Sequence, residues 1–570
     1  MTERELLVEP NPVIEELTPY VIQRPGVDPD LVLDFNESLA PPPALDGLGL
    51  PVNRYPDKQP LEAAIAVRLG VGPESVLVTC GADDALERTV RVVVGPGRKA
   101  VLTTPTYGMI RRFVRTAGAE ADEVAWWSGE LPVDELCRRA ADGAGLVAVV
   151  SPSNPTGAVA SRSAFESLVE RLPRCLILLD QAYVDFCAPE FDLTEPALAA
   201  PNVVLIRTFS KAWGGAGLRV GCAIGDPRVI DWLRRLGLPF PVSTPSIEAA
   251  RRVVTAGPET ERVANVRAQR ESLTQLLESL GAEVLPSQAS FVFARFADAD
   301  RVWSALGALG IAVRRFPGRP GVGGWLRITL PGGRDTWSRL ERALRSVLAP
   351  EAVLFDMDGV LADVSGSYRR AIIETAAAWE VKLTEGDVAA AKARGNANND
   401  WKLTRQLLAD RGVTVGLDEV TERFEALYQG SAETPGLRRF ETPLIDRRAL
   451  ERMAAARPLG VVTGRPRADA ERFLSEHGLG DCFSAVVCME DAPPKPDPGG
   501  VRRALDELGV DTAWMVGDTP DDLRAAAAAG VLPVGVTAPG DEAVGSREAL
   551  QQSGAAFVLE NPSDIEKELP

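Results

Sequence analysis

Short, continuous apolar runs recur through the first part of the chain. They lie at 76–79 (Val-Leu-Val-Thr), 100–103, 146–150 (Leu-Val-Ala-Val-Val), 176–179 (Leu-Ile-Leu-Leu) and 203–206 (Val-Val-Leu-Ile). Runs of this length without polar alternation mark strands covered on both faces. Amphipathic segments separate most of them, for example Arg162 to Arg171. The alternation predicts a doubly wound α/β domain with a mostly parallel sheet. After about residue 245 the pattern changes. It predicts a long helix over 247–280, a strand at Phe291-Val-Phe, a helix near 298–309, then strands at Ala312-Val-Arg and Trp325-Leu-Arg-Ile-Thr. This is an α+β unit, closed by a helix over 335–348, and the N-terminal arm is expected to pack on it. A second α/β pattern begins at Ala352. Ala349-Pro350-Glu351 is too short for a flexible tether, so the two halves are expected to be held close. A mostly helical stretch at about 366–440 interrupts the second pattern before the strand at 459–463. The expected division is 1–349 and 352–570. The first part holds a large domain at about 46–245 and a small one at about 1–45 plus 246–349.

Composition removes several classes of function. The 570 residues carry a net charge of −18, which offers no electrostatic footprint for nucleic acid or an anionic membrane. No apolar stretch reaches the ~20 residues of a membrane span. The opening Met-Thr-Glu-Arg-Glu has neither the basic nor the apolar region of a signal peptide. The seven cysteines form no C-x-x-C pair and several sit in apolar runs, which fits reduced thiols in a cytoplasmic protein. The single histidine, His477, excludes Ser-His-Asp hydrolysis and His-clustered metal sites. It closes an amphipathic helix, a position that suits its charge.

Three strand ends in the first half carry candidate chemistry. A pyridoxal-phosphate (PLP) enzyme needs a lysine for a Schiff base, an acid for the pyridine nitrogen and a phosphate cradle. Lys211 follows the run 203–206, Asp180 ends the run 176–179, and Gly81-Ala82-Asp83 follows the run 76–79 and opens a helix, whose backbone N–H groups suit a phosphate. Singly, each is also an ordinary cap or surface residue. Their order and context are specific: Asp34-Phe-Asn36-Glu, Arg54-Tyr55-Pro-Asp, Pro105-Thr-Tyr107, Ser151-Pro-Ser-Asn154-Pro-Thr-Gly157, Asp180-Gln-Ala-Tyr183, Thr208-Phe-Ser210-Lys211, Gly217-Leu-Arg219-Val-Gly221 and Leu326-Arg327-Ile-Thr329.

With these stretches, residues 1–349 resemble the fold-type-I aminotransferases, and most closely the histidinol-phosphate aminotransferase family. The resemblance implies that Lys211 binds PLP covalently and then shuttles the proton, and that Asp180 pairs with the ring nitrogen. It implies that Asn154 and Tyr183 bond the ring hydroxyl, that Tyr107 stacks on the ring, and that Ala82, Asp83, Ser210 and Arg219 hold the cofactor phosphate. Tyr55 would reach the phosphate in a partner subunit, so a homodimer is expected. Two arginines, Arg314 and Arg327, suit a dianionic substrate phosphate better than the single fork used for a carboxylate. The family uses this pair, with Tyr20 and Asn36 also at the substrate. Gln181 stands where a glutamate is common, and Trp213-Gly214-Gly215 departs from the usual Phe-Gly-Leu. Threonine-phosphate decarboxylases share the cofactor set, so decarboxylation stays open.

In the second half, the run 352–355 ends in Asp356-Met-Asp358-Gly359. Two carboxylates separated by one residue at a strand end allow one to attack phosphorus while the other moves a proton. Thr463 and Gly464 end the next strand and can bind phosphate. Lys495 can neutralise phosphoryl oxygens. Asp518 and Asp522 suit Mg²⁺. In this order they resemble the haloacid-dehalogenase superfamily over 352 to about 562, a Rossmann-like domain with a helical cap at about 366–440. The resemblance implies an aspartyl-phosphate on Asp356, general acid/base work by Asp358, and Mg²⁺ on Asp356, the Asp358 carbonyl and Asp518, with Asp522 in support. Asn396, Asn398, Asn399 and Asp400 could read a substrate in the cap or form a polar interhelix loop.

Together these readings lead to an expected bifunctional enzyme. It would aminate a phosphorylated ketone with glutamate as donor and release 2-oxoglutarate. It would then hydrolyse the phosphate ester, as in formation of histidinol. A substrate of specialised metabolism, or one half serving as a regulatory module, are the open alternatives.

Overall fold

The computed structural model describes residues 5–17, 49–395, 399–431, 433–539 and 545–570. Tyr20, Asn36, Asn396 and Asn398 lie outside the described residues. A seven-stranded sheet organises the first half. Its order is Val76–Cys80, Val220–Gly225, Val203–Thr208, Leu176–Asp180, Ala144–Val150, Lys99–Thr104 and Glu120–Ala125. The five apolar runs are all strands of this sheet. Successive residues face opposite sides: Ile177 and Leu179 join one hydrophobic cluster, Leu176 and Leu178 the other. Two strands have no matching apolar run. Glu120–Ala125 is a polar edge strand, and Val220–Gly225 is interrupted by glycines and pairs antiparallel with both neighbours.

Two expectations need correction. The helix over 247–280 is two helices, Thr244–Ala256 and Thr260–Ser279. Gly257, at φ 86°, ends the first, and Pro258 cannot continue it. The described part of the N-terminal arm packs on the large domain rather than the small one. Leu6 and Val8 join the cluster of Leu86, Val90 and Leu233. Asn11 donates from Nδ2 to the carbonyls of Arg91 and Val94 at 2.8 and 3.1 Å, at the end of the helix Gly81–Val93.

The second half has a six-stranded parallel sheet in the order Ala485–Val487, Leu459–Val462, Ala352–Phe355, Ala513–Gly517, Leu532–Val536, Val558–Leu559. Ala352–Phe355 lies between Leu459–Val462 and Ala513–Gly517, so Asp356, Thr463 and Asp518 leave the sheet at one end. A small antiparallel ribbon, Ala362–Asp363 with Thr442–Pro443, carries the chain to the cap and back. The cap holds the helices Arg370–Ala377, Glu385–Ala393, Asp400–Ala409 and Leu417–Gln429.

The compact units are not divided at residues 349–352. One contains 1–278, 282–295 and 327–334; the other contains 279–281, 296–326 and 335–570. Inside the second unit, contacts between side chain and backbone explain this membership. Ser346, on the helix Arg334–Leu348, accepts at its carbonyl from Trp514 Nε1 at 2.6 Å and donates from Oγ to the Ala513 carbonyl at 3.0 Å. The Arg301 guanidinium lies 5.4 Å from the Trp514 ring centroid and 4.6 Å from that of Phe557, and it pairs with Glu568. Trp514 is fully buried. Trp514→Ala is therefore expected to destabilise the second unit by about 3–5 kcal/mol, read by denaturant unfolding. Trp514→Phe, which loses chiefly the hydrogen bond, should cost about 1 kcal/mol.

Candidate active sites

In the first unit Asp180, Lys211, Asn154 and Gly81–Asp83 lie at the carboxyl ends of the sheet strands, where open α/β sheets place ligands, while Arg314 falls in the second unit. Asp180 ends its strand fully buried, and its Oδ1 accepts from the Ala182 N–H at 2.9 Å. Burial pushes its carboxyl up to about 6, a rise opposed by that hydrogen bond and by the nearby Lys211 charge. The Lys211 ammonium sits 5.3 Å from the centroid of Tyr183. Tyr183 packs edge-on against Phe291, and Arg327 lies over Phe291 at 5.1 Å while donating to Asn154 Oδ1 at 2.6 Å. Tyr107 donates its hydroxyl to Asp83 at 2.9 Å, and burial, then Asp83, holds its pKa above the ordinary phenol value.

The phosphate cradle is a backbone arrangement. Gly81, at φ 73°, opens the helix Gly81–Val93, and a Cβ there would meet the Arg219 guanidinium at 2.7 Å. Arg219 itself is left-handed (φ 53°), a costly conformation for a residue with a side chain. It lies 3.9 Å from Asp83. Ser210 donates its N–H to Thr208 Oγ1 at 3.1 Å. A helix N-terminus beside an arginine, and a buried carboxylate without a cation on it, fit the phosphate and ring nitrogen of PLP. Tyr55 is 53% exposed and stacks on Phe240 at 4.5 Å. Arg314 is exposed and lies 5.9 Å from the Phe316 ring, while its neighbour Arg315 pairs with Asp300 and covers Trp303. Sequence reasoning missed Arg262, which donates to the Lys211 carbonyl at 3.2 Å from the helix Thr260–Ser279. No local pattern distinguishes it from the other arginines of that helix.

The second unit assembles a tighter site. Carboxylate oxygens of Asp356, Asp518 and Asp522 all lie within 4.8 Å of one another. Lys495 Nζ donates to Asp356 Oδ1 at 2.6 Å and to the Val462 carbonyl at 3.1 Å, and it pairs with Asp522. Burial, followed by the neighbouring acids, raises both Asp356 and Asp518, against the pull of nearby cations. Three oxygens so placed fit a hard divalent cation. Asp522 also caps its helix, accepting from the Thr519 hydroxyl at 2.6 Å. Gly359, at φ 78°, sits where a Cβ would lie 2.3 Å from Asp518 Oδ2, so only glycine lets the Asp356–Asp358 loop approach Asp518 this closely. Thr463 is buried, donates its N–H to the Val487 carbonyl at 2.9 Å and accepts from Arg465 N–H at 3.1 Å. The Asp358 side chain is outside the acidic cluster; it accepts from Arg465 Nε at 2.6 Å. Asp400, in the cap, lies 3.3 Å from Lys392. Arg465 was not singled out by sequence, because an arginine in a strand-end loop ordinarily reaches solvent.

A model of the class I and II aminotransferases matches residues 44–347, more than half of the chain. The chain belongs to the class I and II aminotransferase family. A model of the haloacid dehalogenase-like hydrolases matches residues 350–530. A histidinol-phosphate aminotransferase of Shigella dysenteriae is 35% identical over 353 residues, covering 58% of this chain and 96% of that protein. An imidazoleglycerol-phosphate dehydratase of Phytophthora nicotianae is 45% identical over 225 residues, 37% of this chain. The chain spans 50% of the length of that relative. The crystal structure of histidinol-phosphate aminotransferase from Sinorhizobium meliloti with pyridoxal 5'-phosphate aligns at TM-score 0.47 and 24% identity, over 52% of this chain and 84% of that one. The cofactors of the two families are pyridoxal 5'-phosphate and Mg²⁺.

The buried Asp180 predicts a pH dependence. Between its ordinary value of 3.8 and about 6, the folded cofactor-free protein holds a proton that the unfolded chain has lost. This stabilisation is present below about pH 4 and is lost as pH rises through 6, on the order of 3 kcal/mol. Asp180→Asn should remove that slope. Comparing denaturant midpoints of both cofactor-free proteins across pH 4–7 tests it; parallel curves would contradict the assignment.

Proposed function

We propose that this chain is a bifunctional enzyme. Its first activity is PLP-dependent amination of a phosphorylated ketone of the imidazole acetol phosphate type, with glutamate as donor. Its second is Mg²⁺-dependent hydrolysis of the resulting phosphate monoester, giving histidinol. The observation that carries the reading is the presence, in one chain, of two separate sets of candidate residues: the buried Asp180 with Lys211 nearby, and Asp356, Asp518 and Asp522 around Lys495.

When bound, PLP supplies an electron sink for the substrate carbon. The residues do the rest. Asp180, buried and short of a cation, holds the proton on the ring nitrogen. Asn154 and Tyr183 orient the ring through its hydroxyl, and Tyr107 covers its face. Ala82, Asp83, Ser210 and Arg219 anchor the cofactor phosphate. Lys211 would hold the cofactor and deliver or remove the proton at the substrate carbon that carries the amine. Arg314 and Arg327, with Tyr20 and Asn36, bind the substrate and its phosphate. The exposure of Tyr55 supports its reach into a second subunit and a homodimer. The seven free cysteines support a reducing compartment, the cytoplasm.

In the second site, Mg²⁺ when bound supplies a Lewis acid that offsets phosphoryl charge. Asp356, Asp518, Asp522 and the Asp358 carbonyl hold it. Asp356 attacks phosphorus and carries the phosphoryl group. Asp358 protonates the leaving oxygen and later activates water. Thr463, Gly464 and Lys495 bind the phosphoryl oxygens. Fusing the steps raises the local concentration of the shared intermediate.

Lys211→Ala should abolish transamination, together with the absorbance of lysine-bound PLP, and leave phosphatase activity intact. Asp356→Asn should do the reverse, so that the aminated product accumulates with its phosphate. A mass-spectrometric time course with glutamate and a panel of phosphorylated ketones decides both. If the wild type aminates a phosphorylated ketone and never dephosphorylates the amine with Mg²⁺ present, the sequential reading fails. Truncating Arg314 or Arg327 should weaken phosphorylated substrates more than unphosphorylated analogues, by about 1.5–3 kcal/mol. Equal losses would remove the phosphate assignment.

A further inference from the structure

Arg465 lies within two residues of Thr463 and is 1% exposed. Its guanidinium is the hub of a buried network. Nε donates to Asp358 Oδ1 at 2.6 Å, and Nη1 donates to Glu441 Oε2 at 3.0 Å. The plane is held between two rings, 4.9 Å from the centroid of Tyr368 and 5.4 Å from that of Phe473. Such a fork, with two acids on separate nitrogens, has little freedom to rotate.

The second acid connects this hub to the cap. Glu441 immediately precedes Thr442–Pro443, the strand that brings the chain back from the cap. Its Oε1 accepts from Tyr428 at 3.0 Å, on the cap helix Leu417–Gln429, and from Ser367 at 2.9 Å, at the entry to the cap. Arg472 Nη2 in turn donates to the Tyr428 hydroxyl at 3.3 Å. A continuous hydrogen-bonded path therefore runs from the cap, through Glu441 and Arg465, to Asp358. Desolvating an arginine and a glutamate to this extent is costly, and the acids on Nε and Nη1 offset the cost, while Nη2 is buried without a hydrogen-bond partner among the described residues.

We propose that Arg465, held by Glu441, is a positioning residue that orients the Asp358 carboxyl for proton transfer and sets its rotamer by the placement of the cap. The proposal rests on the reading of Asp358 as the general acid. In that step an Asp356 oxygen bonds to phosphorus and the P–O ester bond breaks. Its electron pair goes to the leaving oxygen, which takes the proton from Asp358. The proton matters most where the leaving alkoxide is a poor leaving group, as in an amino-alcohol phosphate. It matters little for an aryl leaving group that departs as a stable anion.

The test is steady-state kinetics of the full chain with Mg²⁺, comparing an alkyl phosphate monoester with p-nitrophenyl phosphate. Arg465→Lys, Glu441→Gln and Tyr428→Phe should each lower kcat on the alkyl ester about 10-fold or more beyond the loss on the aryl ester, with KM little changed. Asp358→Asn should give the same selectivity more strongly. Equal losses on both substrates in the arginine, glutamate and tyrosine variants would make the network structural only and overturn the proposal. If Arg465→Lys does not fold, Glu441→Gln and Tyr428→Phe carry the decision. An Asp358→Asn variant without leaving-group selectivity would instead overturn the general-acid reading beneath it.

Discussion

Asp356, Asp518 and Asp522 crowd three carboxylates within 4.8 Å at the ends of two adjacent strands, where solvent is excluded. Like charges this close oppose one another strongly in a medium of low polarity. Lys495, itself buried, offsets part of that charge through Asp356 and Asp522. In the proposed function, Mg²⁺ would offset the remainder. The register of the central sheet, the glycine at 359 and the capping box at Thr519 all follow from keeping these acids together. Removing Lys495 would leave these buried acids with less compensation, a costly defect.

The aminotransferase half uses the same physics with fewer charges. Asp180 is a lone acid at a strand end, with one backbone donor and a lysine nearby. Burial raises its pKa, and in the proposed function a protonated ring nitrogen would pair with it. Both halves place their acids at the carboxyl ends of parallel strands, because there the loops diverge and the backbone N–H groups of the following helices point at a ligand.

The junction is a packed structure within the second compact unit. Trp514 and Arg301 bring the closing helix of the aminotransferase segment and its neighbour against the hydrolase strands. The linker is itself held: the Glu351 N–H donates to the Thr512 carbonyl at 3.1 Å, the Glu351 carboxylate accepts from Thr512, and the Pro350 carbonyl accepts from Arg457 at 3.1 Å.

Sequence alone determined the strands carried by continuous apolar runs, such as Leu176–Leu179 and Ala352–Phe355, because such runs leave no other home for their side chains; the buried strands Val220–Gly225 and Leu532–Val536 were not among those read from it. It also determined the order of Asp180, Lys211, Asp356, Lys495 and Asp518 along the chain, since each follows such a run or a turn motif. It did not reveal Glu120–Ala125, whose polar edge lacks the pattern, nor the break at Gly257-Pro258 within an otherwise helical composition. Burial of Arg465, its grip on Asp358 and Glu441, the approach of Arg262 to Lys211 and the docking of Leu6 and Val8 on the large domain were decided by tertiary structure. The reason is physical. These contacts join residues from 24 to more than two hundred positions apart, and a charged side chain shows its partner only when the fold has removed its water.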